Sequence, residues 1–158
     1  MGPDMIAPIY LFIPGRPKTK DRPRAGVSKG GKPFMYTTQK TANEEAIIRQ
    51  FGTNTREELG WAEPYAGPIR LSACFLIAKP KRWYPGMEPA SSYYGDIDNL
   101  LKTLKDGLNG TLYRDDGQVI CYGSVRKAFW DYAGLLAIIE LLPLVEPPPR
   151  VDKRKKAG

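Results

Sequence analysis

The chain has 158 residues, 24 Lys and Arg against 17 Asp and Glu, a net charge of +7 with a pI near 9.4, 42% hydrophobic residues and no histidine. That length suits one ordinary domain whose core needs neither disulfides nor a structural metal, and the hydrophobic content excludes wholesale disorder. The missing histidine excludes Ser-His-Asp and Cys-His catalysis, HExxH zinc hydrolysis and any nuclease built on an imidazole base, so acidic side chains must supply most of any catalysis.

Taken in chain order, the opening MGPDMIAPIYLFIPG lacks a cationic n-region and a small-residue cleavage site, and residues 6–13 (IAPIYLFI) read as a first strand. Residues 15–34 follow with seven basic residues and Asp21, a net of +6. Within them Arg16, Lys18, Lys20, Arg22 and Arg24 alternate along the chain, while Pro17 and Pro23 favour an extended course. Such a row can face a phosphate backbone; the plainer reading is a solvated loop that keeps the protein soluble. Thr37 and Thr38 can cap a helix through Glu44, Ile47, Ile48 and Phe51, ending near Gly52.

Residues 56–67 are irregular, and 69–78 (IRLSACFLIA) alternate as a second strand that meets a breaker at Pro80. The 80–95 loop carries Trp83, Tyr84, Tyr93 and Tyr94, aromatics that either pack the loop down or stack on bases. From Asp96 to Asn109, Ile97, Leu101, Leu104 and Leu108 recur at helical spacing, with Gly110 as the natural end. A turn at 113–117 precedes two strand-like runs, 118–129 and 134–142, joined near Asp131-Tyr132.

The expected fold is a single α/β (α+β) domain over 1–142, ordered β-α-β-α-β-β. Each helix has one apolar stripe to bury, so a mixed four-stranded sheet with both helices on one face is the simplest packing. Residues 143–158 form a Pro-rich basic tail that is expected to be disordered, its end 150–158 carrying a net charge of +4. The 129 residues outside the two basic segments have a net charge of −3, so the positive charge is confined to two strips on a mildly acidic body. Cys74 and Cys121, each in an apolar run, read as core thiols of a protein in a reducing cytoplasm. No apolar run approaches the roughly 18–20 residues of a membrane span.

The informative segment is Gly95-Asp96-Ile97-Asp98-Asn99-Leu100-Leu101-Lys102, with Asp115 and Asp116 later in Arg114-Asp115-Asp116-Gly117-Gln118-Val119. Asp96 would cap the second helix and Asp98 sit in its first turn, while Asp98, Lys102 and Asp106 share a face opposite the leucines. Should Asp115 or Asp116 return to that turn, the carboxylates would repel unless a cation shared them, and oxygen-only ligands select Mg²⁺ or Mn²⁺. Taken singly, each piece has a plainer meaning: a cap, an i,i+4 surface pair, a turn.

GDIDNLLKTLKDGLNGTLYRDDGQV resembles the signature of the RusA-type Holliday-junction resolvases, and FIPGRPKTKDRPRAG followed by FMYTT is similar to the opening of their phage and prophage branch. The resemblance implies a homodimeric, Mg²⁺-dependent endonuclease, with Mn²⁺ able to substitute, that cuts four-way DNA junctions symmetrically. It carries the metal ligands onto Asp96, Asp98 and Asp116 with Asp115 beside them, and a catalytic lysine onto Lys102. Asn99 and Gln118 match motif positions without a derivable role. DNA contact falls to Arg16, Lys18, Lys20, Arg22 and Arg24, and the tail from 143 departs from the pattern. Two other functions stay open: an enzyme of the same chemistry acting on flaps or forks, and a non-catalytic nucleic-acid binding module. Recombination, repair and phage DNA processing remain possible settings.

Overall fold

A computed structural model describes residues 6–20, 22 and 24–149. Strand β1 (Ile9–Pro14) leads through the basic segment into a hairpin of β2 (Arg24–Val27) and β3 (Pro33–Tyr36). Helix α1 (Gln39–Glu58), strand β4 (Ile69–Ala78), helix α2 (Ile97–Leu108) and strands β5 (Val119–Trp130) and β6 (Gly134–Leu141) complete the order. The main sheet runs β1-β6-β4-β5, with β1/β6 and β6/β4 antiparallel and β4/β5 parallel. It is the mixed four-stranded sheet that the sequence predicts.

Alternation along the strands decides which side chains meet the helices. Ile9, Leu11 and Ile13 of β1, Ile69, Leu71, Ala73 and Phe75 of β4, and Leu135, Ala137 and Ile139 of β6 form one buried cluster with Ile48 of α1 and Leu100, Leu104 and Leu108 of α2. Both helices therefore lie on one face. Cys74 is out of phase with that set and is half-buried on the other face, and Cys121 is half-buried on the edge strand. Neither belongs to the core cluster, which corrects the expectation of core thiols. Burial raises the Cys74 thiol above its ordinary range despite the Arg126 charge.

Two further features differ from the sequence reading, and a third goes beyond it. The basic segment contains a hairpin, turned at Lys29–Gly31 where Gly31 has φ +76° and the Ser28 hydroxyl accepts from Lys32 N–H at 3.1 Å. Helix α1 does not end at Gly52 but continues to Glu58, because Gly52 is a close-approach site. A Cβ there would lie 2.5 Å from Thr111 Oγ1 and 2.9 Å from Leu108 Cδ2. Finally, β5 and β6 are consecutive but do not pair: β4 lies between them, and the 131–133 link passes over its end, with Lys79 N–H bonded to Trp130 O at 3.0 Å. The basic end of the tail, 150–158, lies outside the described residues.

Gln118, whose motif position had no derivable role, has a structural one. Its carbonyl accepts from Arg114 N–H at 2.8 Å and Asp115 N–H at 2.9 Å, and its amide donates to Tyr65 O and Gly67 O, each at 2.8 Å. It thus ties the turn before β5 to the strand entry before β4. With a net contribution near 1 kcal/mol per bond and part of the group solvated, Gln118→Ala should lower unfolding free energy by about 2 kcal/mol, measured by urea titration. Gln118→Glu should cost as much, since a carboxylate cannot donate to two carbonyls.

Candidate active site

Helix α2 begins at Ile97 because the chain enters it from an extended Asp96, and its apolar residues then fall on the core side. Just upstream a single 3₁₀ turn, Ser92–Tyr94, is capped by Ser91, whose hydroxyl accepts from Tyr93 N–H at 3.2 Å. Gly95 follows with φ +90°. A side chain would be strained there, and its Cβ would stand 2.7 Å from the Thr19 methyl. The basic segment therefore closes directly against the entry to α2.

Asp96 and Asp98 are both exposed at this helix start, and with Asn99 they line an open cleft of about 620 Å³ whose other walls are Ala90, Ser91, Ser92, Ile97 and Lys127. Asp96 occupies the cap position without capping. Among the described residues neither carboxylate forms an ion pair or hydrogen bond, so their oxygens face solvent. Lys102, one turn further along, is exposed on the same side of the helix. Lys127 reaches the cleft from β5, and nothing in the sequence pattern singles it out.

Asp115 and Asp116 stand elsewhere. They adjoin Tyr113, whose hydroxyl donates to Lys105 O at 3.1 Å. Burial, then the charges of Asp116, Asp106, Tyr122 and Asp115, push the Tyr113 phenol well above its ordinary range. Lys105 is seven residues past Asp98, about 10 Å down the helix axis at 1.5 Å per residue. Among the described residues no group of three or more His, Cys, Asp or Glu is gathered closely enough to hold a metal. Asp115 and Asp116 do not line the cleft of Asp96 and Asp98; the Tyr113–Lys105 bond sets the turn before β5 beside the later part of α2.

The basic row is only partly available to a ligand. Lys18 pairs with Glu44 at 3.4 Å, while Lys20 bridges Glu45 at 3.2 Å and Asp106 of α2. Burial works against the Lys20 charge, but its hydrogen bonds and attraction to Asp106 and Glu45 prevail and raise it above the ordinary lysine range. Asp106, expected on an open face with Asp98 and Lys102, is thereby engaged. Arg16 donates to Tyr93 O at 3.0 Å and lies 5.0 Å from the Tyr93 ring centre. Arg22 and Arg24 are exposed. Arg16, Pro17, Lys18, Thr19 and Lys40 line a second cleft of about 350 Å³ with Ser92–Gly95. Ser92 is common to both clefts, so a cationic hollow adjoins the carboxylate one.

The donors at the helix start fit a hard divalent cation: two carboxylates, oxygen only, solvent-facing and without competing partners. Mg²⁺ commonly takes one or two carboxylates and completes its shell with waters and a substrate phosphate, and it needs no further protein ligand. No helix among the described residues is long and apolar enough to cross a membrane. No curated protein matches the chain. A family model described as Endodeoxyribonuclease RusA matches residues 14–135.

Proposed function

The chain belongs to the endodeoxyribonuclease RusA family, and we propose that it is a Mg²⁺-dependent, homodimeric endonuclease that resolves four-way DNA junctions by paired, symmetric phosphodiester hydrolysis. The observation that carries this reading is the pair of unpartnered carboxylates, Asp96 and Asp98, on the first turn of α2 beside a hollow lined by Arg16, Lys18 and Lys40. Acid and base stand side by side where a phosphodiester would need both.

In this reading the cations of the Arg16–Arg24 segment bind the DNA backbone and orient one strand across Ser92–Asp96. Asp96 and Asp98 would hold the cation, which would supply Lewis-acid activation of the scissile phosphate and of an attacking water and would stabilise charge on the leaving 3′ oxygen. Lys102 adds positive charge near the phosphate as negative charge develops there. Asn99, on the cleft wall, can hydrogen-bond a water or a phosphate oxygen. Two equivalent cuts in a two-fold symmetric junction call for two equivalent sites, hence two chains.

The test is a labelled four-way junction incubated with the protein with and without Mg²⁺, beside flap and fork substrates. Paired nicks at symmetric positions, stopped by EDTA and restored by Mg²⁺ or Mn²⁺, are expected. Cutting of flaps or forks in preference to junctions would move the substrate assignment. Binding without any divalent-dependent cutting would make the protein a nucleic-acid binding module.

A further inference from the structure

The peptide that delivers Asp96 to the cleft is held from the sheet by one side chain. Lys127 lies on β5 in the stretch Val125–Trp130 that pairs in regular register with β4. Its ammonium donates to Gly95 O at 2.9 Å and to Ser91 O at 3.4 Å, so one lysine closes both ends of the Ser91–Gly95 turn. The Gly95 peptide is also braced from the other side by the Thr19 methyl, which occupies the place of a Cβ. Asp96 leaves from that braced peptide, and no cap bond of its own fixes its carboxylate.

The same residue bears on the electrostatics. Two carboxylates on one helical turn repel each other until a cation shares them, which costs stability before the ligand arrives. Lys127 lines the cleft with both, yet its donors go to carbonyls, and among the described residues it forms no ion pair with Asp96 or Asp98. A positive charge therefore stands beside the pair without occupying the oxygens.

We propose that Lys127 is a positioning residue of the carboxylate site: it fixes the Ser91–Gly95 turn, sets the course of Asp96, and offsets the charge of Asp96 and Asp98 while leaving both carboxylates open to a divalent cation. The proposal rests on the nuclease reading for the identity of that cation. It differs from the role given to Lys102, which acts toward the substrate phosphate.

The experiment uses the full chain and Mn²⁺ alone, with free Mn²⁺ followed by electron paramagnetic resonance and hydrogen–deuterium exchange read over 91–97. Removing a group that orients a ligand typically lowers metal affinity 10–100-fold, so Lys127→Met should weaken Mn²⁺ binding by about tenfold or more and hasten exchange across the turn. Lys127→Arg should recover most of both. Wild-type Mn²⁺ binding and exchange in Lys127→Met would overturn the proposal. Should Lys127→Met fail to fold by circular dichroism, Lys127→Gln, whose shorter amide cannot span both carbonyls, serves instead: weakened Mn²⁺ binding together with faster exchange over 91–97 supports the proposal, and wild-type behaviour in both overturns it. The junction assay on the same proteins separates the two readings. Lys127-dependent Mn²⁺ binding in a protein that cuts no DNA defeats the nuclease and leaves the positioning role standing. Normal cutting by wild type, with Lys127→Met unaltered in Mn²⁺ binding and exchange, defeats the positioning role alone.

Discussion

Asp98→Asn should abolish junction cutting while leaving junction binding nearly intact. The substitution keeps shape and helix position but replaces one of two anionic donors in the cleft with an amide, a poor ligand for a hard cation. If the cation supplies about 4 kcal/mol of transition-state stabilisation, its loss slows cleavage by about a thousandfold. Affinity for DNA rests on the cations of residues 16–24 and should change by no more than about twofold, a point checked by gel shift in Ca²⁺ or EDTA. Undiminished cleavage by this variant would remove the carboxylate mechanism altogether. Asp116→Asn belongs in the same assay, because the structure sets Asp116 beside Tyr113 rather than in the cleft. A much smaller loss fits a site made by Asp96 and Asp98. An equal loss would mean that Asp116 reaches the cation by an arrangement other than one isolated chain.

The second large effect concerns stability. Gly107 is buried in α2, and a Cβ there would stand 2.6 Å from both Cβ and Cγ2 of Ile48 and 3.3 Å from Glu45 O. Gly52 of α1 faces Leu108 and Thr111 in the same way, so the helices touch backbone to side chain at two glycines. Ile48 cannot yield by a rotamer change, since its Cβ is itself the clashing atom and β-branched residues in helices hold one χ1. Alanine at an exposed helical position would help by about 1 kcal/mol relative to glycine. Here overpacking, commonly about 1–3 kcal/mol, should outweigh that gain, and Gly107→Val should cost more than about 3 kcal/mol. Urea unfolding of both variants measures it; a Gly107→Ala protein more stable than wild type would show that the helices can part freely. Because α2 carries Asp96 and Asp98 at its other end, Gly107→Val should also impair cutting.

How much of this was legible in the sequence follows from how local each signal is. Strand β4 runs over Ile69–Ala78, as its alternation predicts, and α2 lies where the leucine spacing puts it. Those patterns report one element against one core. The hairpin at Arg24–Tyr36 was masked by the charge of its segment, although Gly30-Gly31 between Val27 and Phe34 is a turn signal. Gly52 reads as a stop in sequence because a sequence does not show that another helix crosses there. The carboxylate pair proposed to hold the cation is visible as D-x-D at a helix start, whereas the absence of Asp115 and Asp116 from the cleft lining depends on which end of α2 the next strand begins beside. Lys127 is a lone lysine in a strand, and only its bonds to Ser91 and Gly95 mark it out.

The bridge from Lys20 to Glu45 and Asp106 has a thermodynamic consequence for DNA binding. A lysine already compensated by two protein carboxylates displaces no condensed ion from a duplex when the complex forms. Each phosphate neutralised contributes about 0.9 to the slope of log affinity against log salt, so a row of five cations with Lys20 withheld should respond about one phosphate less steeply than its composition suggests. Lys20 instead fastens the basic segment to the two helices, which lets the remaining cations meet the polyanion as a shaped surface with less entropy left to lose.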